Sequence, residues 1–338
     1  MTETVQGLEL PALERYFAER VPGFRGGLTA RLLQGGKSNL TYLLGDGETS
    51  WVLRRPPLGG LTPSAHDMPR EFRVVAALHG SGVPVARATV LCEDASVIGA
   101  PFSVVEYVDG RVIRTQSELH ALAQSEIDSL AGELIDVLAR LHAVPYGEVG
   151  LGEFGRPSGY LERQVHRWND QWSRVRTREL ADVETLHARL AERVPAESGA
   201  SIVHGDYRID NVILSPTAPK ALAVVDWEMA TLGDPLADLG LHLVYRDPAF
   251  DPILGAEAAA STSPRLPDIE AMAQRYALAS GRDLADLHFY LGLGYYKLAV
   301  IAEGIHARFL MGKTVGEGFD RVGEAVPVLA AEGLRALT

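Results

Sequence analysis

The chain has 338 residues, is 46% hydrophobic and 22% charged, and carries a formal net charge of −12. That is the balance of an ordinary globular protein long enough for two lobes, and the acid excess argues against a nucleic-acid surface, which needs a basic stripe. Cys92 is the only cysteine, which excludes an intrachain disulfide and a cysteine-held zinc. 

No run approaches the ~18 apolar residues of a membrane span. The opening "MTETVQGLELPALERYF" lacks the basic-then-apolar pattern of a secretion signal. The expected setting is therefore the cytoplasm, with neither membrane nor nucleic acid as partner. Three short β-rich runs follow, "LTARLLQ" (28–34), "NLTYLLG" (39–45) and "SWVLRR" (50–55), with Asp46-Gly47 as a hairpin signal between the last two. A loop rich in Pro and Gly leads to "REFRVVAALHG" (70–80), whose Phe72, Val75, Ala76 and His79 recur at helical spacing and which stops at Gly80. Two further strands are expected in "VPVARATVLC" (83–92) and "PFSVVEYV" (101–108). The first hundred residues thus read mainly as strands, β-β-β-α-β-β, an antiparallel sheet with one helix.

After Asp109-Gly110 the texture turns helical. "SEIDSLAGELIDVLARLH" (125–142) aligns Ile127, Leu130, Ala131, Leu134, Ile135, Leu138 and Leu141 on one face, and Ser125 with Asp128 reads as a capping box. Helical patterns recur near 158–178, 184–194, 235–245, 268–280, 284–310 and 315–336. Residues 1–108 are expected to form a β-rich N-lobe, and 109–338 a larger, mainly helical C-lobe.

Between these helices lies "IVHGDYRIDNVIL" (202–214), in which polar residues crowd between two apolar strand runs. Turn chemistry explains Gly, Asn and Asp, but Tyr207, Arg208 and Ile209 are poor turn formers. A loop fixed by a scaffold is a common seat of chemistry. Asp206 and Asn211 lie five residues apart, and Asp226 follows at the end of "KALAVVDW". Two carboxylates and a carboxamide of this kind suit Mg²⁺, which takes its remaining ligands from water and phosphate. A carboxylate left over then orients a nucleophile, the arrangement of phosphoryl transfer.

"HGDYRIDN" resembles the catalytic loop H-G-D-x-x-x-x-N of aminoglycoside phosphotransferases and choline kinases, small-molecule relatives of protein kinases. "VVDWEMATLGDPLADLG" is similar to their metal-binding segment, "GGKSNLTYLL" to their nucleotide loop, "WVLRR" to their third strand, "REFRVVAAL" to their helix C and "FSVVEYVDG" to their hinge. In texture the chain is nearest the phosphotransferase domains associated with acyl-CoA dehydrogenases. The resemblance implies an α+β, bilobal protein-kinase-like fold and an ATP- and Mg²⁺-dependent kinase acting on a small-molecule hydroxyl. It assigns Asp206 to the acceptor proton and Asn211 and Asp226 to the metal, with His204 bracing the loop. Nucleotide contacts fall to Gly36, Lys37, Ser38, Asn39, Arg54 and Glu71, and to the hinge residues Glu106, Tyr107 and Val108. Arg54 stands where protein kinases have lysine, and only Lys37, Lys220, Lys297 and Lys313 are lysines here.

Each assignment has a plainer counterpart. Asp234 before Pro235 reads as a helix N-cap. Asp238 braces the catalytic loop or is solvated, and Glu228 reaches the metal's outer shell or the surface. His142 and His242 read as packing residues. On the acceptor side, "YLERQVHRWNDQWSRVRTREL" is Arg-rich: Arg163 and Arg167 share one helical face, with Trp168 and Trp172 as a second i, i+4 pair. They form either a solvated basic face or a site for an anionic acceptor such as a hydroxyacyl-CoA, with guanidinium groups on phosphate and indoles on adenine. Aminoglycoside or amino-alcohol kinase and catalytically silent pseudokinase are the alternatives. A metallophosphoesterase lacks the G-N-H-[DE] segment and paired histidines it needs here.

Overall fold

The computed structural model describes residues 5–33, 39–58, 67–254, 258–314 and 318–338. They divide into two compact units, Met1–Gly110 with Leu222–Glu228, and Arg111–Ala221 with Met229–Thr338. 

The first unit holds helix α1 (Leu10–Arg20), strands β1 (Thr29–Leu32), β2 (Leu40–Gly45) and β3 (Ser50–Arg55), helix α2 (Met68–Leu78), and strands β4 (Ala88–Cys92) and β5 (Phe102–Glu106). The strands form one antiparallel sheet in the order β1-β2-β3-β5-β4. Between β2 and β3 the carboxylate of Asp46 accepts from the amides of Glu48 (3.0 Å) and Thr49 (2.8 Å), and Gly47 takes φ 93°, which glycine adopts without a Cβ clash. 

Strand alternation does the sorting in β3. Trp51, Leu53 and Arg55 are buried, while Val52 and Arg54 point to the opposite face. Trp51 and Leu53 join a core with Leu13, Phe17, Tyr42, Leu44, Phe102 and Val104. Helix α1 corrects the expectation of one helix in this region. Its two fully buried anchors, Leu13 and Phe17, share the segment with the charged Glu14, Arg15, Glu19 and Arg20, and Glu9 at the N-cap makes no side-chain bond. Tertiary packing holds it: Phe17 meets Trp51 edge-on at 5.6 Å and Tyr16 meets Phe102 at 5.4 Å. The return segment is tied to this unit by the Val224 amide, which donates to the Pro84 carbonyl at 2.8 Å.

The second unit contains α3 (Gln116–His120), α4 (Gln124–Ala143), α5 (Tyr160–Val175), α6 (Ala181–Glu192), β6 (Ser201–Val203) and β7 (Val212–Leu214). After β8 (Ala221–Val224) come β9 (Thr231–Gly233), α7 (Pro235–Val244), α8 (Asp251–Leu254), α9 (Ile269–Ser280), α10 (Leu287–Leu310) and α11 (Val322–Ala336). The predicted apolar stripe of α4 is buried throughout. Its start differs from the expected Ser125–Asp128 box: the helix begins at Gln124, and Glu126 accepts from the Ala123 amide at 3.1 Å. Asp128 instead accepts from the Gln124 side chain at 2.8 Å. Strands β6 and β9 pair antiparallel and lead into the polar loop after β6 and into α7. Among the described residues no helix is long and apolar enough to cross a membrane.

Candidate active site

The loop after β6 is fixed from three sides within the second unit. Asp234 caps α7, accepting from the Leu236 amide at 2.9 Å. One turn on, Asp238 is fully buried and accepts from the amides of His204 (2.6 Å) and Gly205 (2.8 Å). The cap reading of Asp234 and the brace reading of Asp238 therefore hold, and Asp238 is not a solvated carboxylate. Gly205 takes φ 80°, and a Cβ there would lie 2.9 Å from the Met229 carbonyl oxygen, so the loop admits only glycine. His204 Nδ1 lies 3.2 Å from the Asp206 amide and accepts from it.

Asp206 itself is gripped at both oxygens. Oδ2 accepts from Asn211 Nδ2 at 3.1 Å, and the same nitrogen donates to the Asp206 carbonyl at 2.9 Å. Both bonds use the Asn211 amide nitrogen and neither its carboxamide oxygen. Oδ1 accepts from the Tyr245 hydroxyl and lies 3.3 Å from Arg208 Nε. Arg208 also pairs with Asp210 at 3.2 Å and stands over the Tyr245 ring at 5.2 Å. Burial, with Asp206 and Asp210 nearby, pushes the Tyr245 phenol well above its ordinary range, so it donates. The sequence reading missed Tyr245, whose place at the end of α7 carries no local signal. A bond to a charged group contributes roughly 1.5–3 kcal/mol. On the role that the sequence resemblance implies for Asp206, Tyr245→Phe is therefore expected to lower kcat at least about tenfold, with KM for ATP little changed. Steady-state kinetics with ATP and acceptor varied separately check this; a larger change in the ATP KM than in kcat contradicts it.

Behind the loop, His142 lies against Tyr276 (2.6 Å) and Asp238 (3.3 Å). Burial holds its imidazole below the ordinary value of 6.5, although the Asp238 bond pulls the other way. His242, beside the Tyr207 carbonyl, is held down by burial too. Both bind protons less readily folded than unfolded. Their contribution to stability is thus complete above about pH 6.5 and is lost as the pH falls through the lower folded values. Tm is expected to fall on acidification from neutral pH, and His142→Gln to flatten part of that slope. A Tm independent of pH in this window, by thermal denaturation, contradicts the assignment.

The first unit carries a second polar cluster. Arg54, on the face of β3 opposite Trp51, pairs with Glu71 of α2 and, at 3.1 Å, with Asp226. Burial opposes the Arg54 charge, but Glu71, Asp226 and Glu228 together hold the guanidinium above its ordinary value. Glu71 is pushed up by burial against the pull of Arg54. Arg54 Nε and Glu71 Oε2 are buried without a hydrogen-bond partner. Asp226 has φ 66°, the one positive φ outside glycine among the described residues. Asp and Asn tolerate that conformation better than most, and it marks functional positions often. 

Among the remaining expected nucleotide contacts, Gly36, Lys37 and Ser38 lie outside the described residues. Asn39 is buried, and neither atom of its side-chain amide has a hydrogen-bond partner. In the hinge, the amides of Glu106 and Tyr107 donate to the carbonyls of Arg87 (2.9 Å) and Ser50 (3.0 Å). They are unavailable to a base; Val108, past the strand end, has no such bond. 

On α5 the expected acceptor surface needs correcting. The Arg163 guanidinium donates to the carbonyls of Ser158 and Arg156 and so pins the turn before the helix. Trp168 and Trp172 are buried, and Trp172 Nε1 donates to Glu184 at 2.9 Å. An i, i+4 indole pair made to stack on adenine is instead part of the core. Arg167 remains exposed. Among the described residues no group of three or more His, Cys, Asp or Glu is poised for a metal.

A model described as the phosphotransferase enzyme family matches residues 29–275; the chain belongs to that family. It is similar to acyl-CoA dehydrogenase family member 11 of Rattus norvegicus, 33% identical over 335 residues, covering 97% of this chain and 43% of the relative. The chain thus spans less than half the length of the curated relatives it matches. A solved chain from Ralstonia eutropha JMP134, described as a candidate aminoglycoside phosphotransferase, superposes with TM-score 0.85 at 34% identity, covering 97% of this chain and 98% of that one. A thermostable mutant of aminoglycoside phosphotransferase APH(4)-Ia, in ternary complex with AMP-PNP and hygromycin B, has TM-score 0.63 at 17% identity over 96% of this chain and 98% of that one. The α+β, protein-kinase-like fold expected from the sequence is the fold of this chain.

Proposed function

We propose that the chain transfers the γ-phosphoryl group of ATP, with Mg²⁺, to the hydroxyl of a small molecule, a hydroxyacyl-CoA being the favoured acceptor. The observation that carries this reading is Asp206, held by Asn211 at one oxygen and by Tyr245 and Arg208 at the other. A carboxylate so fixed positions an acceptor hydroxyl for in-line attack and takes its proton as the new P–O bond forms and the bond to ADP breaks. 

The donors also suit the cofactors. Asn211 and Asp226 offer the oxygen ligands that Mg²⁺ prefers, and the metal supplies charge neutralisation at the β- and γ-phosphates. Arg54, paired to Glu71 as the corresponding lysine is in protein kinases, binds phosphate through its planar fork. The acyl-CoA choice rests on relatives named for acyl-CoA dehydrogenases that match over 97% of this chain. Retention of Asp206, Asn211 and Asp226 together speaks against a silent binding module. 

The test is ADP release from Mg·ATP over a panel of hydroxyacyl-CoA thioesters, hygromycin B and choline. Turnover with a thioester supports the reading. Turnover confined to hygromycin B or choline moves the acceptor to the amino-alcohol class, and none with any alcohol contradicts phosphotransfer.

A further inference from the structure

Lys297 projects from the middle of α10, and its ammonium donates to the Gly205 carbonyl at 2.7 Å, one residue before Asp206. It is one of only four lysines in the chain, so a cation at this spot stands out from the composition. Its Nζ lies 5.6 Å from the centroid of the Trp168 ring, and Arg167 Cζ lies 6.0 Å from the same centroid. Two cations therefore gather on one indole beside the catalytic loop. Neither takes part in an ion pair among the described residues. Burial depresses the Lys297 ammonium, the charges of Asp206 and Asp238 oppose this, and Arg167 adds to the depression.

Bracing one carbonyl does not require such an arrangement. The loop amides are already held by Asp238, a neutral donor satisfies one carbonyl, and a second cation at the ring only adds repulsion. A buried ammonium has three donors; one goes to Gly205, and the indole face is no hydrogen-bond acceptor of comparable strength. A bound anion relieves the repulsion, accepts the remaining donors and gains from the low local dielectric. From this geometry we infer that Lys297 and Arg167, set over Trp168, form an anion subsite that reads a carboxylate or phosphate group of the acceptor. This rests on the kinase reading and narrows it: a free hydroxy acid or a phosphorylated alcohol carries its negative group close to the hydroxyl that Asp206 engages, which the neutral thioester end of a hydroxyacyl-CoA does not, and a polyamine is repelled.

The test uses the full chain saturated with Mg·AMP-PNP, so that the nucleotide site is filled, and two calorimetric probes, inorganic phosphate and 3-hydroxybutyrate. At least one is expected to bind the parent. Its affinity should fall about 10–100-fold in Lys297→Met and in Arg167→Met, the effect of losing one charge-assisted bond. Lys297→Arg should retain most of it, and AMP-PNP affinity should be unchanged in all three. Loss confined to phosphate assigns the subsite to a phosphate group, and loss confined to hydroxybutyrate to a carboxylate. Because Arg167 is exposed, its variant does not depend on loop integrity. Parent protein that binds neither anion, or variants that bind both as tightly as the parent, would overturn the subsite. Failure of AMP-PNP to bind the parent counts against the kinase reading instead; the two anion titrations, run without nucleotide, then decide the subsite alone.

Discussion

Asp206→Asn is expected to lower turnover with a verified acceptor by about 10²–10⁴-fold, the usual contribution of a positioned acid–base group. The substitution is nearly isosteric, so Tyr245 still finds an oxygen at that position and Asn211 still holds the Asp206 carbonyl. What disappears is the negative charge and the capacity to take the acceptor proton. Mg·ATP affinity is expected to stay within a few-fold of the parent, since the role proposed for Asp206 is toward the acceptor. Single-turnover kinetics separate the two effects. Unchanged turnover would remove Asp206 from its role.

Asp226→Asn is expected to act on the other substrate. Asn tolerates the left-handed backbone at φ 66°, and Arg54 retains Glu71, so Tm should move little. The loss is the one charged metal ligand in the proposed site. Changes outside the first ligand sphere commonly cost 10–100-fold in metal affinity, so removal of a ligand charge is expected to weaken Mg²⁺-dependent nucleotide binding by more than about 100-fold. Calorimetric titration of Mg·ATP and of metal-free ATP checks it. Equal Mg·ATP affinity in variant and parent places the metal elsewhere.

How much of this was legible in the sequence depends on the range of the interaction. Strands β2 and β3 and the stripe of α4 announce themselves through local periodicity, because alternation and the 3.6-residue turn act over a few residues. The polar loop after β6 is visible because its polar residues interrupt buried strand. Helix α1 escaped: only Leu13 and Phe17 are buried in it, and the rings that Phe17 and Tyr16 meet, Trp51 and Phe102, are remote in sequence. Tyr245 and Lys297 were illegible for the same reason, lying 39 residues from Asp206 and 92 from Gly205. On α5 the spacing of Trp168 and Trp172 was read correctly, but spacing does not say whether a shared face looks inward. Their burial, and the backbone contacts of Arg163, decide that only in three dimensions.

The proposed chemistry is tested most directly by following phosphate from [γ-³²P]ATP into an alcohol acceptor, in the parent and in Asp206→Asn, with and without Mg²⁺. Label is expected in the acceptor only with the parent and Mg²⁺ together, with ADP released in equal amount. Label transferred at an undiminished rate by Asp206→Asn, or equally without the metal, would contradict the account.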